Sequence, residues 1–227
     1  MPNVPFRPER VAHRGASRER RENTLPAFEL ALERGADAIE LDVHATSDGV
    51  VVVHHDPAVD GRAISRTAWR ELADVPLPGG ARIPRLQDVL DAVAGRATVY
   101  IELKGAGCEA LAMAVARDSG QRYAVHSFDH GAIERAASFA PEVPRGVLID
   151  RGTLNATRGL AETVRRLKPR DVWPHHTLVG EEFMAAAAAL GTRVIVWTVN
   201  SPDDARRFAS LGVAGVCTDD VRLLTNL

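Results

Sequence analysis

Short β-branched and apolar runs alternate with longer amphipathic segments along this chain, and the alternation constrains its fold more than any other feature. Eight such units occur within 227 residues. Strands alternating with helices predict a parallel sheet, and eight units predict a closed (β/α)8 TIM barrel, which typically takes about 250 residues. A doubly wound open sheet is the alternative. The predicted strands are Arg10–His13, Ala38–Val43, Thr98–Leu103, Tyr123–Ser127, Arg145–Ile149, Asp171–Trp173, Arg193–Val199 and Ala214–Thr218.

The intervening segments have the spacing of amphipathic helices. Several of them are followed by a glycine where a helix should end, at Gly35, Gly120 and Gly191. Ser201 followed by Pro202 predicts an N-cap and a first helical position. The predicted helices are Leu25–Arg34, Leu86–Ala94, Glu109–Asp118, Ile133–Phe139, Leu160–Leu167, Glu181–Leu190 and Asp203–Ser210.

One interval departs from the alternation. A further strand, Val50–His54, follows the second barrel strand through Asp48-Gly49, and Asp-Gly is a hairpin signal. The stretch Pro57–Pro84 is then rich in proline and glycine, with a weak helical pattern. We therefore expect one domain over residues 1–227 with a loop and hairpin insertion at about 47–84. Long loops of this kind carry specificity in barrels.

Composition and charge exclude several classes of function. The formal net charge is -2 and no basic run occurs, so we expect no nucleic-acid partner. No run approaches the roughly 18 apolar residues of a membrane span, and Met1–Arg10 lacks the apolar core of a signal peptide. Cys108 and Cys217 lie in separate apolar stretches, which predicts buried thiols without a disulfide. We expect a cytoplasmic protein with a small-molecule substrate and no stable membrane anchor.

Two acidic residues share one side of the second predicted strand. Glu40 and Asp42 are two positions apart, so their side chains point the same way. The apolar neighbours Ile39, Leu41 and Val43 face the opposite side. Two carboxylates on one side of a buried strand are unfavourable unless a cation or another partner neutralises them.

The third predicted strand repeats this arrangement with Glu102 and Lys104. Both pairs lie at the carboxyl ends of their strands, which is the catalytic face of a barrel. Three carboxylates at this face predict an oxygen-ligand site for Mg²⁺ or Ca²⁺, and a zinc-type site is less favoured. A plain ion-pair network of these acids with Arg14 and Lys104 is the alternative that the spacing leaves open.

Two histidines end predicted strands beside these acids. His13 ends the first strand, and His55 follows the hairpin strand. Two imidazoles next to a metal suit an acid and a base that work near neutral pH. His44 is expected to be structural. The remaining candidates are expected on later loops that follow strands, at His126, His130, His175 and His176.

Lys104 is unusual because the chain almost always uses arginine. Of its 28 basic residues, two are lysine, Lys104 and Lys168. A compact ammonium beside Glu102 suits contact with a phosphate oxygen. Lys168 precedes a proline at a helix end and shows that a lysine also occurs by chance.

An ordered set of motifs resembles the glycerophosphodiester phosphodiesterase (GDPD) family of the PLC-like phosphodiesterase TIM-barrel superfamily. The resemblance covers nearly the whole chain. The motifs are His13-Arg14-Gly15, Glu22-Asn23-Thr24, Gly35-Ala36-Asp37, Glu40-Leu41-Asp42-Val43, Thr46-x-Asp48-Gly49, His55-Asp56, Ile83-Pro84-x-Leu86, Glu102-Leu103-Lys104, Ser127-Phe128-Asp129, Trp197-Thr198-Val199-Asn200 and Thr218-Asp219.

The resemblance implies metal-dependent hydrolysis of glycerophosphodiesters to glycerol 3-phosphate and an alcohol, in which the glycerol 2-hydroxyl attacks first and water opens a cyclic phosphate. It implies a divalent metal, Mg²⁺ or Ca²⁺. Trp197 would form an apolar wall for the glycerol or alcohol moiety, although packing inside the barrel is its other explanation. The implied roles are metal binding for Glu40, Asp42 and Glu102, acid and base for His13 and His55, and phosphate binding for Arg14 and Lys104.

Three other functions share some of these features. A lipid-acting relative of the lysophospholipase D or sphingomyelinase D type would need an apolar loop surface, and Pro57–Pro84 offers little beyond Ile64, Trp69 and Leu72. A non-catalytic phosphate-binding barrel should have lost one of the acids or histidines. An unrelated barrel isomerase would not need the histidine pair. The short segment Asp60-Gly61-Arg62, where longer arginine and threonine patterns occur in the family, bears on substrate identity.

Overall fold

The computed structural model describes residues 7–152 and 158–225, so most of Met1–Arg10 lies outside the described residues. Eight parallel strands form a closed barrel, because each pairs with the next and the last pairs with the first. Closure confirms the predicted barrel and excludes the open sheet. The strands are β1 (Glu9–His13), β2 (Ala38–Ala45), β3 (Thr98–Leu103), β4 (Tyr123–Ser127), β5 (Arg145–Ile149), β6 (Asp171–Pro174), β7 (Arg193–Val196) and β8 (Gly215–Thr218).

Helices connect the strands, and their bounds differ from the predicted ones by a few residues at most. Gly35, Gly120 and Gly191 adopt positive φ after helices, as expected. The Ser201 hydroxyl caps its helix by accepting a hydrogen bond from the Asp204 N–H at 3.4 Å. Within the described ranges, no helix has the length and apolar character needed to cross a bilayer. The helices are α1 (Leu25–Glu33), α2 (Trp69–Leu72), α3 (Leu86–Val93), α4 (Glu109–Asp118), α5 (His130–Phe139), α6 (Arg158–Leu167), α7 (Glu181–Ala189) and α8 (Pro202–Ser210).

The amino-terminal end of the barrel interior is closed by a polar network. The Tyr100 hydroxyl donates to Oε2 of Glu9 at 2.7 Å, and Arg193 contacts the same oxygen at 3.3 Å. Arg193 also forms an ion pair with Asp171 at 3.3 Å. Above this network the interior is packed by apolar side chains such as Trp173. The barrel is therefore filled at one end, and its cavity opens at the carboxyl ends of the strands.

The insertion after β2 begins with the predicted hairpin. A short strand, Val51–Val53, pairs antiparallel with β2 through Val43 opposite Val53. Beyond it, Ile64 and Leu72 are 0% exposed and pack in a small core of their own with Val52 and Ile83. Two of the three apolar residues that the sequence offered as a lipid-facing surface are thus buried.

Candidate active site

A tight turn after β1 places Arg14 in the barrel mouth. Gly15 has a φ of +82°, and a Cβ there would lie 2.7 Å from the carbonyl carbon of Ala27 in α1, so glycine is required. Arg14 itself adopts a φ of 55°, which is uncommon for a side-chain-bearing residue. Its N–H donates to Oε2 of Glu40 at 3.2 Å. The strained turn therefore packs against α1, and its hydrogen bond to Glu40 connects the end of β1 to β2.

Strand parity brings the three acids together as the sequence predicted. Glu40, Asp42 and Glu102 are all buried. Asp42 lies directly across from Glu102 in the pairing of β2 with β3. Ile39 and Leu41, between the acids, instead belong to the apolar core outside the barrel. The inward face of two neighbouring strands thus carries three carboxylates in contact.

Asp42 is held by basic and amide groups. Its Oδ2 accepts a hydrogen bond from the Asn23 side chain at 2.8 Å and forms an ion pair with Nε of Arg14 at 3.1 Å. The Lys104 ammonium lies 3.6 Å from Oδ1 of Asp42 and donates to Oε1 of Glu102 at 3.2 Å. Although burial opposes ionisation, Arg14 and Lys104 hold the pKa of Asp42 below its usual value. Asp42 is therefore an anion in this site.

Ionisation of Glu102 is unfavourable in the same cluster. Burial raises its pKa to about 8, the charges of Asp42 and Glu40 act in the same direction, and Lys104 opposes them. Oδ1 of Asp42 is also fully buried without a hydrogen-bond partner among the described residues. The cost of ionising Glu102 and the unsatisfied oxygen of Asp42 are both relieved by a bound cation.

The donor atoms of this cluster fit a divalent metal ion. Glu40, Glu102 and His126 each offer one ligand-type atom, and these atoms lie within 4.8 Å of one another. Asp42 lies outside this group of three, and the Lys104 ammonium lies between its Oδ1 and Oε1 of Glu102, at 3.6 and 3.2 Å. Carboxylate oxygens with one imidazole suit several divalent ions. The site is therefore a candidate metal centre.

His126 is not on a loop, which corrects the expectation from sequence. It lies within β4, opposite Glu102 of β3. Its side chain is 1% exposed, and Nε2 lies 3.4 Å from Oε1 of Glu40. Strand periodicity could have predicted this position, because Ala124 and His126 share a face of the predicted strand and that face points inward.

His13 is oriented by a carboxylate from the far end of the chain. Its Nδ1 lies 2.6 Å from Oδ1 of Asp219. Asp219 is fixed in turn by the Asn200 amide at 2.5 Å and the Ser17 hydroxyl at 3.1 Å. Burial lowers the pKa of His13, but the bond to Asp219 and the nearby charge of Glu40 outweigh burial and raise it overall.

His55 has a parallel arrangement at a more open position. Its Nδ1 lies 2.7 Å from Oδ1 of Asp56. The ring of His44 contacts the His55 backbone carbonyl at 3.2 Å, which supports the expected structural role of His44. Because a carboxylate only accepts hydrogen bonds, Nδ1 carries the proton in both His13 and His55. Each imidazole therefore presents Nε2 to other groups.

Both histidines and two of the three acids line one cavity of about 240 Å³ at the barrel mouth, and Asp42 lies behind its wall. The polar side is lined by His13, Arg14, Glu40, His55, Glu102 and Lys104. The apolar side is lined by Phe128, Leu148, Trp173, Trp197 and Cys217.

Trp197 takes part in both of the arrangements that the sequence left open. Its ring meets Phe128 edge to face at 5.4 Å between centroids, and its Nε1 donates to the Trp173 carbonyl at 2.8 Å. Trp197 therefore packs against its neighbours and also lines the cavity.

Cys217 and Cys108 are buried free thiols, as predicted. Burial raises the pKa of Cys217 well above its usual value, so its thiol is not a nucleophile.

Comparison with known proteins identifies the family of this chain. A model of the glycerophosphoryl diester phosphodiesterase family matches residues 13–223. The glycerophosphodiester phosphodiesterase of Caldanaerobacter subterraneus subsp. tengcongensis is 29% identical, over 96% of this chain and 96% of its own. The solved glycerophosphodiester phosphodiesterase of Agrobacterium tumefaciens str. C58 has a TM-score of 0.84 and 28% identity, and the match covers 96% of this chain and 98% of that one.

A more distant structure shares the fold. The phosphodiesterase of Oleispira antarctica, solved with its product sn-glycerol-3-phosphate, has a TM-score of 0.84, 23% identity and coverage of 96% of each chain. Because the family model spans nearly all of the described residues, this chain belongs to the glycerophosphoryl diester phosphodiesterase family.

Proposed function

We propose that this protein hydrolyses glycerophosphodiesters to glycerol 3-phosphate and an alcohol. The observation that carries the proposal is the pairing of two imidazoles, His13 and His55, around a cavity that also holds a carboxylate cluster. Each imidazole has Nδ1 on a carboxylate, so Nε2 is the nitrogen that would meet a reacting group. Such a pair supplies an acid and a base in one active site.

The basic groups of the cavity bind the phosphate in this proposal. Arg14 and Lys104 reach into the mouth from β1 and β3, and each already contacts Asp42. A divalent cation, Mg²⁺ or Ca²⁺, held by Glu40, Asp42 and Glu102, would offset the negative charge that develops on the phosphate oxygens. The two cationic side chains add charge-assisted hydrogen bonds to the same oxygens.

The histidines then move protons at the two ends of the reaction. One Nε2 accepts the proton of the glycerol 2-hydroxyl as its oxygen attacks phosphorus. The other Nε2 protonates the alkoxide of the departing alcohol. The resulting cyclic phosphate is opened by water with the roles of the two imidazoles reversed, which leaves glycerol 3-phosphate.

The apolar side of the cavity suits a small carbon skeleton and not a lipid chain. Phe128 and Trp197 offer ring faces and edges large enough for the glycerol. Among the described residues, the large hydrophobic side chains that are exposed are Leu111 and Phe139, in α4 and α5. They lie outside the insertion after β2, so the lysophospholipase D alternative lacks an apolar loop surface.

We propose that the protein acts in the cytoplasm, where it would bind the small phosphodiester from solution. Cys108 and Cys217 are unpaired thiols, the usual state of cysteines in a reducing compartment.

The proposal is tested by following glycerophosphocholine with ³¹P NMR in the presence of Mg²⁺ or Ca²⁺. Glycerol 3-phosphate and free choline should appear, turnover should stop with a chelator, and it should return when the metal is added back. Phosphocholine as a product, or turnover that ignores the chelator, would contradict the proposal. Faster turnover of micellar lysophospholipids would favour the lipid alternative.

A further inference from the structure

We propose that His126 is a nitrogen ligand of the divalent cation, beside the three carboxylates. The inference rests on the proposed function for the presence of that cation. It adds a donor that changes the chemistry of the site, because an imidazole suits transition-metal ions better than Ca²⁺ and Mg²⁺, which prefer oxygen donors.

The position of His126 in the barrel supports this role. It faces the interior from β4, and its strand neighbour in β3 is Glu102. Nε2 lies 3.4 Å from Oε1 of Glu40. One donor atom from each of Glu40, Glu102 and His126 lies within 4.8 Å of the other two. Three neighbouring strands, β2, β3 and β4, thus supply the donors.

The imidazole ring is fixed before any ion binds. It lies beside Trp173, with 4.4 Å between ring centroids, and is stacked at 6.3 Å on Tyr100. Gly146 makes room for this packing, since a Cβ there would lie 2.8 Å from Nε1 of Trp173 and 3.1 Å from Cβ of His126. A ligand whose orientation is set by packing loses little entropy on binding a metal.

Hydrogen bonding alone gives a poor account of this histidine. Its side chain is 1% exposed, yet Nδ1 has no hydrogen-bond partner among the described residues. The contact of Nε2 with Glu40, at 3.4 Å, is longer than an ordinary N–H···O bond. Buried polar atoms are normally satisfied, and a cation beside Glu40 would give Nε2 a full partner in place of this long contact.

The rival explanation is that His126 only donates a hydrogen bond to Glu40. Loss of such an outer partner also weakens metal binding, on the order of tenfold to a hundredfold, so affinity alone does not separate the two. Electron spin echo envelope modulation spectroscopy of bound Mn²⁺ separates the two explanations, because it detects nitrogen in direct contact with the ion. The probe is Mn²⁺ added to the full-length, metal-free protein.

Wild type should show ¹⁴N modulation that is lost in His126→Gln at saturating Mn²⁺. His54→Gln is the matched control, a buried histidine in the insertion, and should keep the modulation. Circular dichroism checks that each variant is folded, and ¹⁵N-histidine labelling of the wild type gives a second measurement that needs no variant. Modulation that persists in His126→Gln, or its absence from Mn²⁺-loaded wild type, would overturn the inference.

Calorimetry adds the metal preference. His126→Gln should weaken Mn²⁺ binding by at least about tenfold and Ca²⁺ binding by less; equal losses for both ions would count against a nitrogen ligand. Nitrogen modulation without any phosphodiester hydrolysis would refute the proposed function and leave this inference intact. Metal-dependent hydrolysis without nitrogen modulation would support the proposed function and refute this inference.

Discussion

Nδ1 of His13 lies 2.6 Å from Oδ1 of Asp219, although 206 positions separate the two residues. Closure of the barrel produces this contact, because β1 pairs with β8 and Ala12 lies opposite Thr218. The carboxylate fixes the tautomer of the imidazole and favours its protonated form. Asp219 is therefore a positioning residue for His13 in the proposed mechanism.

Replacing Asp219 by Asn should lower kcat by about 100-fold or more, because the tautomer and the charge of His13 are no longer held. The pKa of His13 is raised in the native site, so its loss of an anionic partner should lower that pKa. The limb of the pH profile that needs protonated His13 should move to lower pH. Steady-state kinetics across pH measure both effects. Asp56→Asn is the control, with a smaller loss expected because Asp56 is 68% exposed; equal kinetics for Asp219→Asn and wild type would refute the role.

Metal binding near neutral pH should release a proton from Glu102. Its pKa of about 8 leaves it mostly protonated at pH 7 without the ion, and a bound cation favours the carboxylate. Calorimetry in two buffers of different protonation enthalpy should give close to one proton per ion at pH 7 and little at pH 9. Glu102→Gln should abolish the release, and a release that is unchanged in this variant would assign the proton to another group.

Truncation of Trp197 should weaken substrate binding more than catalysis. Trp197→Ala removes an apolar wall of the cavity and the ring that meets Phe128. We expect KM to rise by about tenfold with little change in kcat, since the contact is made equally in the ground state and the transition state. Trp197→Phe keeps a ring and should raise KM less. An unchanged KM in Trp197→Ala would mean that the residue only packs.

Asp37 should stabilise the fold at neutral pH through Arg7 and Arg10. Burial opposes its ionisation, but hydrogen bonds from both arginines lower its pKa to about 2. A lowered pKa adds stability above the unfolded value, and that stability is lost as pH falls towards the folded value. Asp37→Asn should cost about 1–2 kcal/mol at pH 7 once solvent screening is allowed for, and roughly half of that at pH 3. Urea denaturation at both pH values measures it, and a cost that does not shrink in acid would contradict the ionic origin.

Local patterns in the sequence predicted the barrel and one side of its mouth. Strand periodicity alone was sufficient to turn Glu40, Asp42 and Glu102 to the same interior, because parity within a strand is a local property. The same rule applied to β4 would have found His126. A histidine among apolar neighbours simply carries a weaker signal than two acids.

Contacts made by closure of the barrel were not predictable in this way. Asp219 meets His13 across the β1–β8 seam. Asn23 reaches Asp42 from the loop after β1, in which Arg14 and Asn23 both adopt positive φ. Such contacts depend on the register between distant strands and on loop conformation, which single-strand periodicity does not encode. The ordered motifs pointed to Asn23 and Asp219 without showing what they touch.

The most direct test of the account is the turnover of glycerophosphocholine by His13→Gln and His55→Gln at saturating metal. Each variant should lose about 10²–10⁴ in kcat, and the double variant should be little slower than the worse single one because the two imidazoles act as a unit. Circular dichroism should show both variants folded. Either single variant retaining more than about half of the wild-type kcat would contradict a two-histidine active site.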